Sequence, residues 1–171
     1  MKNYERILPY AYPYSFLKFK HTKVISEENR AIIVGIPYDD GVTVRPGARF
    51  GPKSIRNASI FLCPYNMFQG ISPLDVLHPI DMGDIDVIPG DYSSSFQNIQ
   101  NFYSAILQKE IVPFALGGDH SITLPILREM KKKYGRINVI QFDAHIDTWK
   151  NLRAVKYNHG NWLYYAFKED L

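Results

Sequence analysis

Two carboxylates and a histidine alternate at the end of an apolar run in the stretch GRINVIQFDAHIDTW. Asp143, His145 and Asp147 are separated by single residues, so in extended backbone their side chains point to the same side. Charged groups gathered just past a buried strand are costly unless something neutralises them, and a divalent cation does this well. The spacing therefore indicates a metal site where open α/β sheets place their functional groups.

The apolar run before these residues predicts a buried strand. Ile137, Val139, Ile140 and Phe142 form a nearly unbroken apolar series that follows Gly135. We therefore expect the first of the two carboxylates to lie directly at the carboxyl end of a strand.

A second polar group follows another apolar run, residues 111–116, which also predicts a buried strand. It consists of Gly117, Gly118, Asp119 and His120, and the two glycines allow a sharp turn that a Cβ atom would obstruct. Taken alone, His120 is more simply interpreted as a hydrogen-bonded loop histidine. Together with the carboxylates after the next strand it becomes a candidate ligand, so we expect both groups at the carboxyl ends of two adjacent parallel strands.

The remaining elements alternate between strand and helix. Strands are predicted at residues 31–37 and within residues 78–87, and an apolar stripe at helical spacing from Phe96 to Leu107 predicts a core helix capped near Asp91. A last helical segment spans residues 162–167. This alternation predicts an α/β fold with a mainly parallel sheet.

The loop after the first of these strands is rich in glycine and proline. Its spacing matches neither the P-loop nor the dinucleotide fingerprint, so a phosphate-binding interpretation has little support. Arg45, Arg49 and Arg56 either support the structure or line the edge of a pocket. A structural role is favoured for Arg49 and Arg56.

Length and composition limit the class of protein. The 171 residues suffice for one domain, and 46% hydrophobic with 22% charged residues is ordinary for a globular chain. A net charge of +3 gives no reason to expect nucleic acid as a partner, and no apolar stretch is long enough to cross a membrane. The single cysteine excludes a disulfide within the chain and favours a cytoplasmic location. We interpret residues 1–171 as one domain whose residues 1–30 form an N-terminal arm.

Four stretches together resemble the ureohydrolase family, which includes arginases and agmatinases. They are GGDHS at 117–121, DAHID at 143–147, RPGARFGPKSIR at 45–56 and the dipeptide His159-Gly160. GGDHS and DAHID at this separation are far more specific together than either is alone. The arginine-rich stretch is similar to the agmatinase branch, and the resemblance covers the N-terminal part of the family's sequence.

The resemblance implies an arginase-like fold, three layers α/β/α around a mainly parallel sheet, with a site for two Mn²⁺ ions. In the family these ions activate a bridging hydroxide against a guanidinium carbon, and a small guanidino substrate is split into an amine and urea. By motif match, His120, Asp143 and Asp147 would bind the first ion, and Asp143 with His145 the second. Such an oxygen-rich set suits a hard metal such as Mn²⁺. His159 matches the family's catalytic histidine near the substrate, proposed to shuttle protons.

Two positions depart from the family pattern, and both concern the substrate. Trp149 stands where arginases have an asparagine that holds the amino-acid end of arginine, and is closer to the aromatic residue of agmatinase-like members. Asn161 follows His159-Gly160 where agmatinases usually have threonine. We therefore place both residues at a substrate-binding site for agmatine or another guanidino compound without an α-amino acid head.

The family also carries a second carboxylate pair, S-x-D-x-D-x-x-D-P, which completes both metal shells further along the sequence. This chain ends at Leu171 without it, so we expect the C-terminal portion of the fold to be missing. One hypothesis is an agmatinase-like amidinohydrolase. The alternative is a truncated, non-catalytic fragment or subunit that acts by association.

A zinc deacetylase of related fold is a third hypothesis, but the combination of GGDHS with DAHID is not its pattern. Related ureohydrolases are usually trimers or hexamers. We therefore expect a homo-oligomer, or association with a missing C-terminal half.

Overall fold

A parallel four-stranded sheet forms the centre of the protein in the computed structural model, which describes residues 14–150 and 156–171. The strands are β1 (Lys20–His21), β2 (Ala31–Ile36), β3 (Ile80–Asp84) and β4 (Val112–Gly117), in the order β1-β3-β2-β4. The helices are α1 (Gly51–Ser59), α2 (Pro73–Leu77), α3 (Tyr92–Ile106), α4 (Thr123–Tyr134) and α5 (Trp162–Lys168). Short 3-10 turns occupy Phe16–Lys18, Ala48–Phe50 and His120–Ile122.

Strand β2 is the buried centre of this sheet. All six of its residues are buried, and it pairs with β4 from Ala31 opposite Val112 to Ile36 opposite Gly117. Val34 and Ile36 point to one face and pack in a core cluster with residues of α3, α4 and α5. On the other face, a Cβ at Gly35 would lie 2.9 Å from the Cβ of Pro52 in α1. Helices therefore cover both faces, which confirms the predicted three-layer α/β/α architecture.

The predicted strands at residues 31–37, 78–87 and 111–116 are confirmed, as is the long helix between the last two. Asp91 caps α3, because its Oδ1 accepts a hydrogen bond from the backbone N–H of Ser94 at 3.0 Å. Phe96, Ile99 and Tyr103 form the buried stripe of that helix, as their spacing predicts. Pro52 lies in the first turn of α1, where a backbone N–H would have no hydrogen-bond partner within the helix, so proline costs no bond there.

The predicted strand at Ile137–Phe142 is wrong. This segment has no regular secondary structure, and Val139, Ile140 and Phe142 are 45%, 82% and 97% exposed. The reason is the lack of a neighbour: among the described residues β4 pairs only with β2, and no strand lies beside the segment. An extended chain with no partner cannot form a hydrogen-bonded ladder, so an apolar run alone does not make a strand.

The expectation that β4 is buried is also wrong. Val112 and Phe114 are 57% and 49% exposed, because β4 is the last strand at its edge of the described sheet. Apolar side chains on such a strand are typical of a strand that has neighbours on both sides. Both the edge strand and the segment 137–142 thus expose apolar side chains that no other described residue covers.

Residues 16–21 are tied to the sheet. Residues 1–13 lie outside the described part of the chain, but β1 pairs with β3, and Asp81 of β3 accepts a hydrogen bond from the N–H of Phe16 at 2.7 Å. Asp81 also receives Nε and Nη2 of Arg56 at 2.7 and 2.9 Å, and Arg56 reaches Asp84 at 2.5 Å. This network confirms the structural role predicted for Arg56. None of the helices in the described residues has the length and apolar character needed to cross a membrane.

Candidate metal centre

Three side chains from two separate parts of the chain converge beyond the carboxyl end of β4. His120 lies in the 3-10 turn that follows β4, and Asp143 and Asp147 lie in the irregular segment before α5. Nδ1 of His120 is 3.1 Å from Oδ2 of Asp143 and 2.8 Å from Oδ2 of Asp147. One ligand atom from each residue lies within 4.8 Å of the other two. An imidazole nitrogen and two carboxylate oxygens at these separations fit a divalent cation.

Asp143 lies between two histidines. Its Oδ2 faces His120, whereas its Oδ1 lies 3.5 Å from Nδ1 of His145 and accepts the backbone N–H of His145 at 2.9 Å. That N–H holds the pKa of Asp143 below its ordinary value, so the carboxylate stays ionised at neutral pH. The side chain of His145 is 80% exposed and is the least enclosed of the four candidate ligands.

A hydrogen bond from a buried tryptophan orients the side chain of Asp147. Oδ2 of Asp147 accepts a hydrogen bond from Nε1 of Trp162 at 2.9 Å, and Trp162 is 1% exposed. The Trp162 ring also packs 4.8 Å from the ring of His120, centroid to centroid, so one indole contacts two candidate ligands. Asp147 has φ 49°, so the expected extended backbone does not continue to it. A turn brings the second carboxylate to the site, which aspartate tolerates better than most residues.

The turn that carries His120 is fixed against the end of β2. Gly118 has φ +68°, and a Cβ there would lie 2.4 Å from the carbonyl oxygen of Ile36 and 2.6 Å from that of Tyr38. The backbone N–H of Asp119 then donates to the carbonyl oxygen of Tyr38 at 2.7 Å. Only glycine permits this approach, which confirms the sharp turn predicted from the glycine pair.

Asp119 fixes two loops at once, although it is not one of the three clustered ligands. Its Oδ2 accepts the N–H of Gly41 at 2.8 Å, and its Oδ1 accepts the N–H of Ser121 at 2.8 Å as well as the Ser121 hydroxyl. Burial raises the pKa of Asp119 above its ordinary value. It outweighs the hydrogen bonds from Ser121 and Gly41 and the interaction with His159, which all lower the pKa. The loop after β2 is thereby held beside the cluster.

A cavity of about 560 Å³ opens beside the cluster. Its lining consists of Val42, Thr43, Val44, Arg45, Ala48, Asp119, His120, Asp143, His145, Asp147 and His159. His159 is held there by two contacts: its N–H donates to the carbonyl oxygen of Gly41 at 3.2 Å, and its Nε2 lies 3.0 Å from Oγ1 of Thr43. The structure thus brings the five predicted metal-binding and catalytic residues to one cavity.

The two predicted substrate-binding residues lie differently. Trp149 is 62% exposed and Asn161 is 1% exposed, and neither belongs to the described lining of this cavity. The Asn161 side chain bonds within the chain, accepting the N–H of Asn158 at 2.9 Å and donating to the carbonyl oxygen of Lys156 at 3.0 Å. A contact of either residue with substrate stays a prediction.

Sequence reasoning did not single out Trp162, Thr43 or Asp119 for this site. Each acts through a contact with a residue that is distant in sequence: Trp162 with Asp147, Thr43 with His159, and Asp119 with Gly41. Periodicity assigns Trp162 to a helix but cannot place its N–H. The position of Asp119 beside His120 in the GGDHS stretch was the one available signal.

Comparison with known proteins finds related sequences and structures. The model of the arginase family matches residues 29–171. A guanidinobutyrase of Pseudomonas aeruginosa is 42% identical over 141 residues, and a mitochondrial agmatinase of Gallus gallus is 42% identical over 130 residues. These matches cover 82% and 76% of this chain but 44% and 38% of the relatives.

The solved structures that resemble this one are larger as well. The proclavaminate amidino hydrolase from Streptomyces clavuligerus superposes with a TM-score of 0.89 at 30% identity, over 96% of this chain and 54% of that chain. The chain spans about half the length of the known proteins that it matches.

Proposed function

Because this chain belongs to the arginase family, we propose that it takes part in the hydrolysis of a guanidino compound to an amine and urea. The observation that carries this proposal is the convergence of His120, Asp143 and Asp147 beside a cavity that His159 also lines. Two carboxylates facing one imidazole nitrogen are a ligand set, and the cavity gives a small molecule room to reach it.

We propose Mn²⁺ as the metal and two ions as its number. His120, Asp143 and Asp147 would hold the first ion, and Asp143 with His145 the second, since the two oxygens of Asp143 face the two histidines. When bound, such a pair of ions lowers the pKa of a shared water and supplies hydroxide near neutral pH. The carboxylate-rich donor set supports a hard cation over a thiophilic one.

The residues of the chain then have separate tasks. Asp143 and Asp147 contribute the negative charge that favours a cation, and Trp162 fixes the orientation of Asp147. His159 moves a proton at its Nε2. The Thr43 hydroxyl lies 3.0 Å from this nitrogen and holds the imidazole ring in place.

The substrate we propose is agmatine-like, in that it lacks the α-amino acid head of arginine. Trp149 in place of the asparagine of arginases supports this, and so do relatives named guanidinobutyrase and agmatinase. Trp149 and Asn161 remain our candidates for substrate contact, with Trp149 better placed because its side chain is exposed.

A non-catalytic subunit is the second candidate function. This second candidate is supported by the exposure of the ligands proposed for the second ion. His145 is 80% exposed and has Asp143 as its acidic neighbour. On this proposal residues 1–171 form one domain, with residues 1–30 as an arm, and act by association. The partner is a further copy in a trimer or hexamer, or the remaining half of a ureohydrolase. The lone cysteine supports a cytoplasmic setting for either function.

Urea release tests the proposal. The purified chain is incubated with Mn²⁺ and with agmatine, 4-guanidinobutanoate or arginine, and a parallel sample contains excess EDTA. We expect urea from a guanidino compound other than arginine, lost with EDTA and in Asp143→Asn. Asp86→Asn, an exposed aspartate outside the cavity, is the matched control. Bound Mn²⁺ without urea would favour the non-catalytic subunit, and a preference for arginine would contradict the proposed substrate.

A further inference from the structure

The turn that carries His120 and the loop that carries His159 meet at one residue of a third loop. This residue is Gly41, which lies in the loop after β2. Its N–H donates to Oδ2 of Asp119 at 2.8 Å, and its carbonyl oxygen accepts the N–H of His159 at 3.2 Å. Gly41 therefore bonds on one side to the residue before His120 and on the other side to His159 itself.

The junction at Gly41 is closely packed. A Cβ atom there would lie 2.9 Å from Oδ2 of Asp119, 3.0 Å from Oγ of Ser121 and 3.1 Å from Cα of Asn158. Carbon atoms normally pack about 3.5 to 4.0 Å apart, so the three loops approach to a separation that glycine allows and a side chain does not. Asp119, Ser121 and Asn158 are all buried, and burial strengthens the hydrogen bonds between them and their partners.

Asp119 makes this junction because it is a carboxylate. Its Oδ2 accepts the Gly41 N–H, whereas its Oδ1 accepts both the N–H of Ser121 at 2.8 Å and the Ser121 hydroxyl. Two acceptor oxygens thus receive three donors. The amide of an asparagine has the same shape but only one acceptor oxygen, so it would turn an NH₂ group towards the N–H of either Gly41 or Ser121.

The loop after β2 also holds the ring of His159. Oγ1 of Thr43, two residues after Gly41, lies 3.0 Å from Nε2 of His159. Both the backbone and the ring of this histidine are therefore bonded to a loop that Asp119 in turn fixes. Asp119 itself lies outside the three-residue cluster of candidate metal ligands.

We propose that Asp119 is a positioning residue for His159, which acts through Gly41 on the proton transfer assigned to that histidine rather than on metal binding. This inference rests on the proposed function and gives Asp119 a task in it. A group that transfers a proton must lie within hydrogen-bond reach of its target, so a small displacement of His159 lowers the rate. Metal affinity depends instead on the three clustered ligands, whose mutual contacts do not involve Asp119.

The ring nitrogens of His159 report its position without any turnover. The full chain is prepared with ¹⁵N-labelled histidine, and nuclear magnetic resonance spectra are recorded before Mn²⁺ is added, because the paramagnetic ion would broaden the signals. His159→Gln identifies the signals of this residue among those of the five histidines. We expect Asp119→Asn to shift or split the His159 ring signals, since Nε2 loses its fixed distance from Oγ1 of Thr43.

Kinetics with a guanidino compound that the unaltered chain hydrolyses separates proton transfer from binding. Asp119→Asn should lower kcat about 10- to 100-fold, while KM and the Mn²⁺ dissociation constant each change less than about threefold. Metal affinity is kept because the backbone N–H of residue 119 still donates to the carbonyl oxygen of Tyr38 and holds the turn that carries His120.

Two control variants separate positioning from general damage. Ser121→Ala removes one donor from Oδ1 of Asp119 but leaves the Gly41 bond, so the His159 signals and kcat should stay unchanged. Asp81→Asn removes a buried carboxylate that binds Arg56, and should lower stability without moving the His159 signals.

Gly41→Ala disturbs the same junction from its other side and gives the answer where Asp119→Asn does not fold. Its methyl group would displace Asp119 or Asn158, so the His159 signals should shift in this variant too. Unshifted His159 signals in the junction variants, an equal shift in Ser121→Ala, or a loss of Mn²⁺ affinity as large as the loss of kcat would overturn the role of Asp119. Shifted His159 signals in a chain that releases no urea would instead contradict the proposed hydrolysis and leave the positioning supported.

Discussion

Each clustered ligand depends on a contact outside the cluster. Trp162 is the clearest case, because its indole N–H fixes Asp147 while its ring packs against His120. Residues that orient metal ligands in this way commonly change metal affinity when they are altered. A buried tryptophan at the start of α5 therefore contributes to the site without being a ligand.

Trp162→Phe should weaken Mn²⁺ binding about 10- to 100-fold, because the aromatic packing remains while Asp147 loses its hydrogen bond. The dissociation constant from a Mn²⁺ titration measures this. Tyr103→Phe, which changes another buried aromatic residue of the same core, serves as the control and should leave the affinity unchanged. Equal affinities of Trp162→Phe and the unaltered chain would show that this hydrogen bond does not orient the ligand.

The residue types at the site could be predicted from the sequence, but their supports could not. Spacing placed Asp143, His145 and His120 at one site, and the structure brings them to one cavity. Spacing did not predict the turn at Asp147, where φ is 49°, because alternation assumes an extended chain. It also did not predict the indole of Trp162, whose partner lies 15 residues earlier in the chain and is chosen by tertiary packing.

Strand β2 and helix α3 were predicted correctly. Strand β2, between β3 and β4, and helix α3, capped by Asp91, combine a local pattern with tertiary contacts that agree with it. The segment 137–142 has the local pattern but no neighbouring strand among the described residues, so its pattern was misleading. Apolar composition therefore predicted burial only where a partner element is present.

The close contact between the loops after β2 and β4 depends on Gly118. Gly118→Ala should cost at least about 3 kcal/mol of unfolding free energy, because it combines positive φ with a collision against two carbonyl oxygens. Gly90→Ala is the matched control: Gly90 also has positive φ, +79°, but a Cβ there has no atom within 4 Å. Its cost should be only about 1 kcal/mol. Urea denaturation measures both, and similar losses would mean that crowding at Gly118 is unimportant.

The Arg56–Asp81 pair joins α1 and β3, and Asp81 also bonds the backbone of Phe16. The Asp81 side chain is 0% exposed and that of Arg56 5%, so Asp81→Asn leaves a buried guanidinium with only Asp84 as its acidic partner. We expect a loss of about 3 kcal/mol in unfolding free energy. Asp86→Asn, an exposed aspartate a few residues away, should change it by less than about 0.5 kcal/mol.

This pair also gives a pH dependence of defined sign. Burial works to raise the pKa of Asp81, but the hydrogen bonds from Arg56, Phe16 and Gly83 outweigh it and hold the pKa below the ordinary 3.8. A carboxylate with a lowered pKa stabilises the folded state above its unfolded pKa. Its contribution should therefore fall as pH drops below about 3.8, where the unfolded chain takes up the proton first. In Asp81→Asn this part of the decline should be absent, and an unchanged profile would contradict the assignment.

At the scale of the whole molecule, apolar side chains are exposed at the β4 edge of the described sheet and in the segment 137–142. Val112 and Phe114 of β4, with Ile140 and Phe142 of the following segment, are 49% to 97% exposed. Unpaired strand edges with apolar side chains favour association with another chain. This surface supports the proposed association, either with further copies or with the remaining half of a ureohydrolase.

We expect the 171-residue chain to self-associate at micromolar concentration, as seen by sedimentation velocity. Phe142→Ser should shift the distribution towards monomer, because it removes the most exposed apolar side chain of this surface. Phe68→Ser is the control, since Phe68 is also fully exposed but lies on another loop. An equal effect of the two changes would show that association is non-specific.

We expect His120, Asp143 and Asp147 to hold a metal ion together in this chain. Titration of the whole chain with Mn²⁺, monitored by the electron paramagnetic resonance of free Mn²⁺, tests it most directly. His120→Asn is compared with His78→Asn, because His78 is exposed, lies outside the cavity, and has a φ of 41° that asparagine tolerates. We predict saturable binding to the unaltered chain and to His78→Asn, and at least about 100-fold weaker binding to His120→Asn. Equal binding by the two variants, or no saturable binding by the unaltered chain, would show that these three residues do not form a metal site.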